Sequence, residues 1–370
     1  MSHPTTRFKR LVIKVGTSVL AETTGTPRLN TLHALAQQLA TCARQSCEVV
    51  VVSSGAIACG MAVLGLVRRP RELAQLQACA AIGQGQLMRL YSEACGRCGL
   101  TVAQVLLTEA DLSNAGRCRN ARHTMEALLK RQVVPIVNEN DTVAVDEITF
   151  GDNDRLAALV ASLIRADLLI MLSDVDGLLR GGRVVARLDD LNQTHDALAK
   201  PTKRSTTKGG MLSKLSAARI ARHAGIPMVI ANGHREGVVP DILAGRPIGT
   251  LIPPTASRLT SRKWWIAFSV RKPHGTLVVD DGAAEALLHR GTSLLASGIQ
   301  AVGGRFHAGD SVAIVTARQE EIARGISGFS SSDLLRIRGL KTHEIASVLG
   351  SASAKEVVHR NQLVLMKDAA

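Results

Sequence analysis

Val133-Val134-Pro135-Ile136-Val137-Asn138-Glu139-Asn140-Asp141-Thr142-Val143 reads as a buried strand running straight into a polar cluster. A short apolar run bounded by turn-forming residues suits a strand covered on both faces. Further on, Gly151-Asp152-Asn153-Asp154 repeats the mixture of acid and amide beside glycine. In open α/β sheets, ligands sit at the carboxyl ends of strands. Acids and amides at such an end offer oriented acceptors to a small ligand carrying an ammonium group. The competing reading is a polar turn whose Asx side chains bond their own backbone.

The same rhythm extends in both directions. Short β-branched runs recur at Leu11-Val12-Ile13, Glu48 to Val52, Val102 to Leu107, Leu168 to Leu172 and Pro227 to Ile230. Helical patterns fill most gaps between them. Thr31 to Arg44 places Leu32, Leu35, Ala36 and Leu39 on one face, and Asn120 to Arg131 does so with Met125, Leu128 and Leu129. Leu156 to Ile164 and Ser213 to His223 follow the same period. Strands alternating with helices predict an α/β, doubly wound, mainly parallel sheet with helices on both faces. This block spans residues 1–252. Pro253-Pro254 then breaks the pattern, and residues 253–272, including Trp264 and Trp265, read as a linker. Residues 273–356 read as a small, mostly-β module with one short helix from Gly282 to Arg290. Its strands are Gly275 to Asp280, Ile299 to Val302, Ser311 to Val315 and Glu321 to Gly325. Residues 357–370 read as a tail.

Composition excludes several classes. In 370 residues, 46% hydrophobic and 21% charged content is that of a globular protein. Aromatics are only 2%, so nucleic-acid binding through stacking platforms is disfavoured. No apolar run approaches the ~20 residues needed to span a bilayer, and residues 1–10 lack the apolar core of a secretory signal. The seven cysteines are odd in number and none follows Cys118, a poor disulfide framework that fits a reducing cytoplasm. Cys95-Gly-Arg-Cys98 lacks the second pair a metal site needs. The net charge of +14 favours anionic partners. Residues 259–370 hold 14 basic and 10 acidic side chains, so the charge is no basic tail but a broadly solvated surface.

Four further stretches could carry chemistry, three of them at strand ends. Lys14-Val15-Gly16-Thr17-Ser18 can aim an ammonium group and backbone N–H groups at phosphate oxygens, although it is not the P-loop pattern. Ser53-Ser54-Gly55-Ala56-Ile57 lets backbone approach an anion closely, or Ser54 caps a helix. The Gly-x-Ser-x-Gly elbow is absent, which disfavours a serine nucleophile. Ser173-Asp174-Val175-Asp176-Gly177 offers hydroxyl and carboxylate groups to a ribose, a base edge or a hydrated metal, and falls short of an EF-hand loop. Lys208-Gly209-Gly210-Met211-Leu212-Ser213-Lys214 precedes a helix, with Lys214 expected in its first turn. A cation there opposes the helix dipole unless an anion is bound.

In this order the motifs resemble the amino-acid kinase family, over nearly the whole chain. Lys-Val-Gly-Thr-Ser-Val-Leu from Lys14, Ser-Gly-Ala-Ile-Ala from Ser54, Asn-Glu-Asn-Asp-Thr-Val from Asn138 and Gly-Asp-Asn-Asp from Gly151 carry the likeness. The C-terminal module is similar to the small PUA barrel of the branch acting on glutamate. The resemblance implies ATP-dependent phosphorylation of the side-chain carboxylate of L-glutamate to L-glutamyl 5-phosphate, the first step of proline biosynthesis. It implies Lys14 and Lys214 on the transferred phosphoryl group, with Asp154 holding both. It implies Ser54, Asp141 and Asn153, joined by Asn138, on glutamate. Lys14, Ser173, Asp174, Lys208, Gly209, Gly210, Met211, Leu212, Ser213 and Lys214 are implied for ATP, with Mg²⁺ bridging its phosphates. Feedback by proline, self-association into a homo-oligomer and supply of product to glutamyl phosphate reductase are implied as well. The chain departs from the family pattern in Lys208 and Ser173, each where threonine is usual, and in a shorter segment from Leu179 to Thr207. Lys208 is expected to add a third cation near the ATP phosphates. Two other readings remain: an RNA-binding protein working through the PUA-like module, and a kinase of this fold acting on another small carboxylate or phosphate.

Overall fold

The computed structural model describes residues 8–22, 25–144, 152–191, 208–255, 261–268, 273–350 and 356–366. It divides into two units, Met1–Arg258 and Leu259–Ala370.

The first unit is built on β1 (Arg10–Val15), β2 (Glu48–Ser53), β3 (Val102–Leu107), β4 (Val134–Glu139) and β5 (Leu168–Ser173). A two-stranded hairpin, β6 (Leu179–Arg180) and β7 (Arg183–Val184), stands apart, and β8 (Met228–Asn232) and β9 (Thr250–Ile252) complete the main sheet. The strand order is β3-β4-β2-β1-β5-β8-β9. Every pairing is parallel except β8 with β9. The central strands are largely apolar because both faces are covered: Val49 to Val52 and all of β5 are buried. The helices are α1 (Thr17–Leu20), α2 (Leu29–Arg44), α3 (Ala56–Val63), α4 (Leu73–Gly96), α5 (Glu109–Ser113), α6 (Ala115–Lys130), α7 (Asp152–Leu163), α8 (Lys208–His223) and α9 (Val238–Leu243). Leu32, Leu35, Ala36 and Leu39 of α2 are buried, as their spacing predicts.

The long helix α4 left no strong periodic signal, because its buried side is partly glycine and alanine. It touches α3 at backbone distance. A Cβ on Gly83 would lie 1.8 Å from the Ala56 carbonyl oxygen, and one on Gly60 would lie 1.8 Å from that of Cys79. Only hydrogen fits at either place.

Lys208-Gly209-Gly210 is itself helical, which corrects the expectation of a loop before the helix. Lys214 therefore stands in the second turn of α8 and not the first.

The second unit has a five-stranded mixed sheet of β10 (Gly275–Val279), β11 (Ile299–Gly304), β12 (Ser311–Thr316), β13 (Glu321–Ile326) and β14 (Leu363–Leu365). Their order is β11-β10-β12-β13-β14, so the stretch read as a tail supplies the last strand, and Val357 and Val358 before it are buried in the core. Residues 261–268, within the stretch read as a linker, form a helix, α10, that buries Trp264, Ile266 and Phe268. Helices α11 (Asp281–Arg290), α12 (Ser331–Ile337) and α13 (Thr342–Leu349) complete the unit. Leu277, Ile314, Leu287, Leu334 and Ile345 share its core. Among the described residues, no helix of either unit is long and apolar enough to cross a membrane.

Candidate active site

The carboxyl edge of the parallel sheet collects side chains from distant parts of the first unit. Lys14 is the fifth residue of β1, flanked in register by Val52 of β2 and Met171 of β5. Strand alternation places it among apolar neighbours, and it is only 6% exposed. Sequence alone favours a solvated lysine there, because lysines are rarely buried without a partner. The partner is Asp154, from the first turn of α7, whose Oδ1 lies 2.6 Å from Lys14 Nζ. Its other oxygen, Oδ2, lies 3.2 Å from Nζ of Lys214, which α8 supplies. Asp154 is 1% exposed and Lys214 8%.

Ser213 Oγ lies 2.7 Å from Asp154 Oδ2 and 2.9 Å from the Gly210 carbonyl, so its single proton has two acceptors. Lys214 also donates to the Gly210 carbonyl at 3.2 Å. Its ammonium thus answers a carbonyl one turn earlier in α8, and the second-turn position needs no appeal to the helix dipole.

These three buried ionised groups do not balance: two ammonium groups share one carboxylate. Burial drives the Lys14 pKa down, opposed by Asp154 and reinforced by Lys214, and the net shift is downward. Burial works to raise the Asp154 carboxyl. Lys14 and Lys214, together with the Ser213 hydroxyl, outweigh it and hold Asp154 below the usual carboxylate range. A buried excess of positive charge is costly unless an anion joins it.

A second, uncharged cluster adjoins the first through α7. Asn153 Nδ2 donates to Ser54 Oγ at 3.2 Å and to Asn138 Oδ1 at 3.1 Å. Asn138 Nδ2 donates in turn to Gln84 Oε1 at 2.8 Å. The strand end, the β2–α3 turn and the start of α7, far apart in the chain, are therefore tied together. Ser54 is not a helix cap: Gly55 occupies that position, and no side chain caps α3. Beneath, Ser53 bonds the fully buried Tyr91 hydroxyl at 3.0 Å. Asp141 lies in the turn after β4, within electrostatic reach of Arg69.

On the other side, Ser173 Oγ donates to Asp174 Oδ1 at 3.0 Å, and Asp174 acts electrostatically on Lys14. Met211 is partly exposed and Leu212 is 52% exposed, on the outer side of α8. The side chains of Lys208 and Gly209, and Gly151 altogether, lie outside the described residues, as does most of the segment from Leu179 to Thr207. Sequence reading missed Gln84 and Tyr91. Neither stands at a strand end, and only the closeness of α4 to the sheet edge brings them in.

A carboxylate shared by two buried ammonium groups, at the carboxyl edge of a doubly wound sheet, is suited to receiving an anionic group. The amino acid kinase family profile matches residues 9–232, and the PUA domain profile matches residues 275–349. The chain belongs to the amino acid kinase family. It is 45% identical to the glutamate 5-kinase of Caldanaerobacter subterraneus subsp. tengcongensis, over 97% of this chain and 98% of that one. It is 44% identical to the glutamate 5-kinase of Moorella thermoacetica, over 97% of this chain and 96% of that one. A solved UMP kinase from Bacillus anthracis aligns with a TM-score of 0.46 at 17% identity, over 67% of this chain and 97% of that one.

Proposed function

We propose that the chain transfers the γ-phosphoryl group of ATP to the side-chain carboxylate of L-glutamate, giving L-glutamyl 5-phosphate and ADP at the entry to proline biosynthesis. The observation that carries this reading is the unbalanced buried trio of Lys14, Lys214 and Asp154. Full-length likeness to glutamate 5-kinases supplies the substrate.

The chemistry asks little of the protein beyond electrostatics. A glutamate side chain, with a pKa of about 4.3, is already a nucleophile at neutral pH. Its oxygen forms the new bond to phosphorus as the bond to the ADP oxygen breaks, so no general base is needed. The obstacle is repulsion between two anions. Lys14 and Lys214 lower it where charge gathers during transfer. Asp154 holds both ammonium groups to one point and leaves them a net positive charge. Ser54, Asn138, Asp141 and Asn153 form the amino-acid end. Ser173, Asp174 and residues 208–214 form the nucleotide end. Among the described residues, no group of three or more acids, histidines or cysteines is placed to cage a metal. Mg²⁺, which the family resemblance implies, would neutralise phosphate charge on the bound nucleotide.

The resemblance also supports proline as a feedback inhibitor, self-association, and a glutamyl phosphate reductase as consumer of the unstable acyl phosphate. Incubation with ATP, Mg²⁺ and hydroxylamine tests the central reading. Hydroxamate is expected from L-glutamate and not from L-aspartate or N-acetyl-L-glutamate. Hydroxamate from N-acetyl-L-glutamate alone would overturn it.

A further inference from the structure

One backbone group orients the whole neutral end of this site. The Glu139 N–H donates to Asn138 Oδ1 at 3.0 Å, and only the oxygen of that amide can accept it. The assignment then propagates. Asn138 must turn its nitrogen to Gln84, so Gln84 answers with Oε1. Asn153 must offer its nitrogen to Asn138 Oδ1 and does so, reaching Ser54 as well. Two atoms are left over: the donor Gln84 Nε2 and the acceptor Asn153 Oδ1. Both are buried, and neither has a hydrogen-bond partner among the described residues. Buried polar atoms are rarely left unpaired, and an unpaired one is a candidate for a ligand's partner.

The two leftover atoms have opposite sense and flank a single amide. A ligand that satisfies both carries an acceptor and a donor close together. An α-amino acid has this pair on one carbon, as carboxylate and ammonium. The reacting carboxylate of the substrate needs cations, which the lysine pair supplies. The amide trio is uncharged and suits the end that does not react. Resting on the glutamate-kinase reading, we propose that Gln84 is a further substrate-binding and specificity residue. Its Nε2–H donates to the α-carboxylate, and Asn153 Oδ1 accepts from the α-ammonium. Gln84 reaches this position because Gly60 and Gly83 let α4 press onto α3.

The substitution Gln84→Glu keeps the oxygen Asn138 requires and turns the donor into a second, negatively charged oxygen. Hydroxamate formation is measured with L-glutamate and with isoglutamine, its α-carboxamide analogue. The ratio of kcat/KM for glutamate over isoglutamine is expected to fall by about 10- to 100-fold, with KM for ATP little changed. A folded Q84E with the wild-type ratio overturns the proposal, as does a KM for ATP that rises in step with that for glutamate. Should Q84E fail to fold by thermal melting, Gln84→Met replaces it. A raised KM for glutamate alone then supports the proposal, and an unchanged one overturns it. A wild-type chain inactive on glutamate defeats the parent reading and this one with it, whereas an active wild type with an indifferent Gln84 defeats only this one.

Discussion

Lys14 and Asp154, 140 positions apart in the chain, meet at 2.6 Å with almost no water around either. That contact sets the geometry of the second ammonium group as well, because Lys214 uses the other oxygen of the same carboxylate.

Removing the first ammonium tests its part in transfer. Lys14→Ala is expected to lower kcat by roughly 10²- to 10³-fold, as loss of one preorganised donor to a developing anion does. Steady-state kinetics at saturating ATP and glutamate measure it. A variant with near-normal turnover would remove Lys14 from the mechanism.

Asp154→Asn keeps the shape and deletes the only buried negative charge of the trio. Two ammonium groups then face each other uncompensated. Breaking a buried ion pair from one side costs roughly 3–5 kcal/mol. Denaturant unfolding should show that loss together with a fall in kcat. Loss of activity with unchanged stability would mean the lysines are solvated in the free protein.

The pH dependence follows from two shifts of the same direction. The Lys14 ammonium is the active form and its pKa lies below the ordinary 10.5, so activity should fall with rising pH before the usual lysine range is reached. Asp154 has its folded-state pKa held below the ordinary 3.8. Its stabilising contribution is therefore present above that ordinary, unfolded value and is lost as pH falls through the lower, folded one. A pH profile of kcat/KM and an acid-unfolding series compared with Asp154→Asn check both. An alkaline limb at or above 10.5 would contradict the first.

Gly83→Ala puts a methyl group against the Ala56 carbonyl, where the nearest atom is backbone and cannot step aside cheaply. The helices must separate, at a cost of roughly 1–3 kcal/mol. Because Gln84 is the next residue, its bond to Asn138 should weaken as well. Thermal melting and the KM for glutamate should both move, and a wild-type melting curve would show the α3–α4 contact to be looser than described.

Some of this site was legible in one dimension. Parallel strands leave continuous apolar runs, so the ends of β1, β2, β4 and β5 could be located, and Lys14, Ser54 and Asn138 at three of those ends each meet a residue of α7. Other parts were hidden. The helical state of Lys208 to Gly210 is hidden because two glycines ordinarily signal a loop, while here Gly210 carries the carbonyl that Lys214 and Ser213 need. Helix α10 reads as connecting chain in the sequence because its flanking prolines dominate the local pattern and its apolar face is short. Gln84 was invisible, since nothing distinguishes a glutamine on a helix that meets the sheet edge from one that meets solvent.

Periodicity and strand-end chemistry, both local properties, determined the layered architecture and the polar side chains carried at its strand ends. Charge balance and amide orientation were settled only by folding. They depend on which side chains share a low-dielectric space, and that is a matter of distances between segments up to 140 residues apart.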